Sequence, residues 1–184
     1  MTTSGVVYSD FDGVYNIPKR EGLSSVKVQT AGSKFFREET IVAWNREILE
    51  LLGEFLQLTG FIFVWLTTWN EHSLIKRAAS GMEFAHSDHA PAALNHAAKG
   101  SKEWTEWKAL HIIEDQRRNP RPFVWIDDKA PLFWREFVEE HTDAPSLIIT
   151  TDSHSGLTKD ELLKMVDWFE TLKRLEATTG SASD

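Results

Sequence analysis

The sequence predicts an α/β fold in which a mostly parallel sheet lies between two layers of helices. Three observations carry that expectation. Short apolar runs without alternation recur at Val6 to Ser9, Phe61 to Leu66 and Phe123 to Ile126, the pattern of strands covered on both faces. Stretches of helical periodicity separate them, and strands alternating with helices form βαβ units with parallel strands. Each run also ends in oxygen-bearing residues: Asp10-Phe11-Asp12-Gly13, Thr67-Thr68 and Asp127-Asp128. In a parallel sheet all three ends fall on the carboxyl edge, where open α/β folds bind ligands.

The elements follow in chain order. Residues 14–43, with VKVQ and KFFREETIVAW on either side of Gly32, predict a small β-hairpin inserted after the first strand. In AWNREILELLGEFLQLTG, Ile48, Leu51, Leu52 and Phe55 fall at i, i+3, i+4 and i+7, an amphipathic helix ending near Gly60. Residues 81–101, rich in Ala and His, predict irregular structure. A helix from about Glu103 to Arg117, with Trp104, Trp107, Leu110 and Ile113 as its apolar stripe, stops before Asn119-Pro120. A helix over Pro131 to Glu140 leads to a strand at Ser146 to Thr150. Thr158 and Glu161 form a capping box ahead of Leu162, Leu163, Val166 and Phe169. One domain is expected over residues 1–176, followed by a small, polar, disordered tail over 177–184.

Composition narrows the function. The 184 residues, 41% hydrophobic, suffice for one core and are short for two domains. A net charge of −8 gives little long-range attraction to phosphate backbones and counts against a general nucleic-acid coat protein. With no cysteine, disulfide scaffolds, thiolate metal sites and cysteine nucleophiles are excluded. The start, MTTSGVVYSDFDG, has no basic segment and no apolar stretch of a secretory signal, which predicts a cytoplasmic location. Phe61 to Leu66 falls far short of the ~20 residues that cross a bilayer, so no membrane span is expected.

The acids point to a metal. Two Asp spaced i and i+2 at a strand end, followed by a glycine able to take positive φ, let the chain turn sharply while presenting a carboxylate and nearby carbonyls to one point. A second acidic pair from a neighbouring strand completes an oxygen-rich cage, which repels itself unless a hard cation occupies it; Mg²⁺ suits such ligands. Mg²⁺ beside a carboxylate suits phosphoryl transfer, because the metal neutralises the phosphate and an aspartate can accept the phosphoryl group. A hydroxyl from Thr67 and a lysine ammonium would hold the remaining phosphoryl oxygens.

With those residues in view, the sequence resembles the haloacid dehalogenase-like (HAD) superfamily of phosphotransferases. VVYSDFDGV is similar to its first motif, FVWLTTW to the second and FVWIDD to the fourth. Over nearly the whole chain, WLTTWN, the Trp-Lys pair before FVWIDD, and LIITTDSHSGLT with its following helix resemble the small, nearly cap-less HAD domains of bacteria and phages related to RNA-repair (Swiss Army Knife) proteins. The resemblance implies a three-layer, Rossmann-like fold and a Mg²⁺-dependent phosphatase. It implies that Asp10 is the nucleophile and a metal ligand, and that Asp12 is the general acid and base, its carbonyl on the metal. It further implies that Thr67 binds the phosphoryl group, and that Asp128 holds Mg²⁺ with Asp127 in support. Lys108, favoured over Lys102, takes the third motif's place. Gly13, Thr68 and Trp69 are candidates for lining the substrate. Lys129 departs from the pattern, since relatives often carry an acid there. The expected partner is a phosphorylated substrate, a nucleic-acid end among the candidates because a hairpin flap leaves the cleft open; no stable protein partner is evident. A non-catalytic module binding a phosphate ligand or a protein is the alternative, and transfer to an acceptor other than water shares every named residue.

Plainer readings stand beside these. Asp10 and Asp12 are also turn residues, and Thr67 and Thr68 are also helix caps, Thr68 the better one. His86, Asp88, His89 and His96 are competent zinc ligands in a stretch that reads as a solvated loop. His111 and His141 read as packing or surface residues, and His154 as a candidate for the cleft rim. Trp65, Trp69, Trp125 and Trp134 read first as core and second as stacking walls. Lys19, Arg20, Lys27, Lys34 and Arg37 read as a solvated hairpin face or a guide for a charged substrate.

Overall fold

The computed structural model describes residues 4–30, 38–69, 88–89 and 101–180. Its elements are β1 (Val6–Ser9), β2 (Ser24–Thr30), β3 (Glu38–Trp44), α1 (Arg46–Thr59), β4 (Ile62–Trp65), β5 (Asp88–His89), α2 (Lys102–Arg118), β6 (Phe123–Asp127), α3 (Ala130–Glu140), β7 (Ser146–Thr150) and α4 (Lys159–Gly180). Five strands form one sheet in the order β5-β4-β1-β6-β7, and every pairing in it is parallel. β2 and β3 make a separate antiparallel hairpin. The strand order places β1 at the centre, with β4 on one side and β6 on the other, where the direction of winding reverses. Such a switch point opens a crevice at the carboxyl ends of the strands.

The two faces of the sheet carry different cores, as the two-residue period of a strand demands. Val7 faces a layer built on α1 and α4, with Leu52, Phe55, Phe61, Leu162 and Met165. Val6 and Tyr8 face a layer built on α2 and α3, with Trp107, Ile112, Trp134 and Val138. Trp65 and Trp125 are fully buried, and Trp134 donates its indole N–H toward Lys102 O and Thr105 Oγ1, at 3.2 Å each, where α3 packs on α2. These three tryptophans are core residues.

Local signals set the helix ends. Asn45 caps α1, its side chain accepting from Glu47 N at 3.0 Å, and Gly60 closes it in the left-handed region at φ 69°. The capping box forms as read, with Glu161 Oε2 accepting from Thr158 N at 2.8 Å and Glu161 N donating to Thr158 Oγ1 at 3.4 Å. The hairpin pairing runs to Trp44; Val42 and Trp44 are buried in the α1 layer, and Ala43 between them is buried as well.

Three expectations change. The buried stripe of α2 is Thr105, Lys108, Ala109, Ile112, Ile113 and Gln116 beside Trp107, and Leu110, expected inside, is about half exposed. The helix is turned from the 104/107/110/113 stripe because polar residues on its inner face have buried partners, so apolar periodicity does not mark that face. Within 81–101, Asp88 and His89 pair with Val64 and Trp65 as a short edge strand. α4 continues to Gly180, so Ala177 to Gly180 are helical; residues 181–184 lie outside the described residues, as do His86, His96, Lys34 and Arg37.

Candidate active site

The register of the sheet assembles the site. Ser9 pairs with Trp65 on one side and Ile126 on the other, so the next residues along each strand, Asp10, Leu66-Thr67 and Asp127, emerge side by side at the carboxyl edge. Asp10 N donates to Ile126 O at 2.9 Å and Leu66 N to Ser9 O at 2.7 Å, which continues the ladder to this point.

Beyond Asp10 the chain reverses. Tyr15 N and Asn16 N both donate to Phe11 O at 3.0 Å, and Gly13 N donates to Asn16 O at 3.0 Å. Gly13 sits at φ 73°, where a Cβ would lie 2.5 Å from Asp128 Oδ2; only glycine leaves room for that carboxylate. Buried Thr151 donates its hydroxyl to Gly13 O at 2.8 Å, and Leu157 N donates to Val14 O at 2.8 Å, which seats the turn from beneath. Edge-to-face contacts of Phe11 and Tyr15 on Trp65, at 5.7 Å each, hold it against β4.

Lys108 reaches this edge from α2. Its Nζ lies 2.6 Å from both Asp10 Oδ2 and Asp127 Oδ2, and its side chain is 4% exposed. Lys102 lies elsewhere, its ammonium 4.7 Å from the Trp134 ring centroid. Asp127 Oδ1 accepts from Lys129 N and Ala130 N at 2.9 Å each, so it also begins α3. Asp128 is the least engaged carboxylate of the group; Lys129 Nζ approaches its Oδ2 at 3.7 Å with a half-exposed side chain. Ligand oxygens of Asp10, Asp127 and Asp128 all lie within 4.8 Å of one another.

The electrostatics follow from burial. Burial pushes the Asp10 carboxyl up, Lys108 opposes that shift and Asp127 adds to it. Asp128 is raised by burial and by its neighbour Asp127. The Lys108 ammonium is raised by the two carboxylates it joins, against the cost of burial. One buried lysine thus faces three carboxylates, an excess of negative charge that a divalent cation would offset. Asp10, Asp127 and Asp128 are the carboxylates close enough together to share one, and Asp127 also anchors Lys108 and α3.

The remaining candidates are distributed around this group. Asp12 accepts from Asn16 Nδ2 at 2.7 Å and from Trp69 Nε1 at 2.9 Å. Trp69 packs its ring edge-to-face on Phe11 at 5.1 Å. Thr67 is fully buried, its Oγ1 3.4 Å from Trp69 N, and Thr68 is partly buried at the edge beside it. Three imidazoles have other settings: His111 packs against Tyr8, and His141 bonds to Phe137 O at 2.8 Å. His154 is exposed beside Asp152. Sequence reading missed Asn16 and Thr151. The available signal for Asn16 was an amide inside the otherwise apolar Val14-Tyr15-Asn16-Ile17 run; Thr151 carried none beyond its place after a strand.

A family model described as the HAD domain in Swiss Army Knife RNA repair proteins matches residues 6–162. No curated protein matches the chain.

Proposed function

This chain belongs to the family of HAD domains in Swiss Army Knife RNA repair proteins, and on that premise we propose that it is a Mg²⁺-dependent phosphatase acting through an aspartyl-phosphate on Asp10. The observation that carries the reading is the Lys108 ammonium at 2.6 Å from both Asp10 and Asp127, buried at the strand edge where Asp128 also converges. Asp10, Asp128 and the Asp12 carbonyl would hold Mg²⁺, which supplies charge neutralisation of the phosphoryl oxygens. Asp10 forms the bond to phosphorus while the bond to the leaving oxygen breaks, and Asp12 gives that oxygen its proton. Asp12 then takes a proton from water as the water oxygen bonds phosphorus and the Asp10–phosphorus bond breaks. Lys108 opposes the burial that disfavours the Asp10 charge and holds that carboxylate in place, and with the Thr67 hydroxyl it steadies charge on the transferring group.

The substrate class proposed is a bulky phosphoester, with a nucleic-acid 5′ or 3′ end as its leading member. Two features support it: the hairpin of β2 and β3 is a small antiparallel insertion after β1, and the family's proteins are named for RNA repair. The test is phosphate release from an aryl phosphate and from 5′- and 3′-phosphorylated oligonucleotides, with Mg²⁺ or EDTA. Release that needs Mg²⁺ and disappears in Asp10→Asn is expected; equal release by the variant would end the reading. A binding module with no turnover would instead leave beryllofluoride uncaptured at Asp10.

A further inference from the structure

Asp12 is gripped by both carboxylate oxygens from two separate parts of the fold. Asn16 Nδ2 donates to Oδ1 at 2.7 Å, and Trp69 Nε1 donates to Oδ2 at 2.9 Å. The Asn16 amide is oriented by its other end, Oδ1, which accepts from the Ala43 N–H at 3.2 Å and so leaves the nitrogen to donate to Asp12. That same side chain therefore ties Asp12 to the base of β3. Trp69 is fixed independently, its ring on Phe11 and its backbone N–H directed at Thr67 Oγ1.

Resting on the function proposed above, we infer that Asn16 and Trp69 are positioning residues that aim the Asp12 carboxylate for proton transfer. An aspartate side chain at a turn has several open rotamers, and a general acid acts only within hydrogen-bond reach of the leaving oxygen. Two donors on the two oxygens fix both its place and the plane of its carboxyl group. Both donors are neutral, one a side-chain amide and the other an indole. The grip thus orients without adding charge to a cluster already set by Lys108. Because Asn16 bonds Asp12 with its nitrogen and β3 with its oxygen, the seating of the hairpin and the aim of Asp12 depend on one side chain.

The test separates aim from fold. 4-Nitrophenyl phosphate releases a phenolate that needs no proton, whereas benzyl phosphate, an alkyl ester of similar size, needs one. Trp69→Phe keeps the ring on Phe11 and removes only the N–H; Asn16→Asp keeps an acceptor for Ala43 and removes the donor to Asp12. In each variant kcat/KM for benzyl phosphate is expected to fall about tenfold further than for 4-nitrophenyl phosphate, within the range general acid catalysis contributes. An unchanged ratio of the two values, whether activity drops on both substrates or on neither, would overturn the inference. Should Asn16→Asp fail to fold, Trp69→Phe decides alone. A wild type inactive on both esters and on phosphorylated oligonucleotides, or an active Asp10→Asn, would overturn the proposed function and this inference together; an active, Asp10-dependent wild type with an unchanged ratio overturns only the inference.

Discussion

Lys108 sits between two carboxylates with almost no water around it, and the consequences of that arrangement differ sharply for the lysine and for its partners. Removing this buried cation would leave Asp10 and Asp127 facing each other, and breaking such a pair typically costs about 3–5 kcal/mol. Lys108→Met is therefore expected to lower the free energy of unfolding in urea by about that amount. Asp10→Asn has the opposite tendency. Burial and Asp127 both disfavour the Asp10 charge, and Lys108 keeps Asp127 as a partner, so the variant in EDTA is expected to melt no lower than the wild type; a clear loss of melting temperature would show that the ion pair outweighs burial. Gly13→Ala sets a Cβ against Asp128 Oδ2 at a positive φ, and its expected signature in calorimetry is weakened Mg²⁺ binding.

At the scale of elements, legibility tracked whether function borrowed a helix face. α1 was largely legible, because every buried position except Thr59 is apolar and Gly60 ends it in the left-handed region; Leu49 and Leu56, outside the expected stripe, are buried as well, and Leu51 only partly. The capping box of α4 was equally visible, and Thr158→Ala is expected to cost about 1 kcal/mol in urea unfolding. α2 resisted because Thr105, Lys108 and Gln116 occupy its inner face. Gln116 donates to the Tyr8 hydroxyl at 3.2 Å, Asp115 accepts from the same hydroxyl, and Lys108 serves the strand edge. A hydrophobicity pattern counts these residues as outward facing, so the stripe it finds is turned from the true one. The side-chain types at the site were legible for a related reason: Asp10, Asp12, Thr67 and Asp127-Asp128 each follow an apolar strand, whereas Asn16 acts through a turn whose geometry no periodicity encodes.

For the molecule as a whole, the parallel sheet does the assembling. Asp10, Lys108 and Asp127 are separated by up to 117 positions along the chain, yet the register of β1 with β4 and β6 leaves no choice about which residues meet at the carboxyl edge. No helix among the described residues is long and apolar enough to cross a membrane. The net charge of −8 predicts that any affinity for an oligonucleotide end comes from local contacts, with a shallow salt dependence compared with that of basic nucleic-acid coats. The central claim is that Asp10 takes the phosphoryl group. The most direct measurement is to quench the protein with acid during turnover of a ³²P-labelled phosphoester in Mg²⁺, reduce it with borohydride and map the modified peptide. The account predicts acid-stable label on the wild type, none on Asp10→Asn, and homoserine at position 10 after reduction. Phosphate release with no modification at position 10, or label retained by the variant, would contradict it.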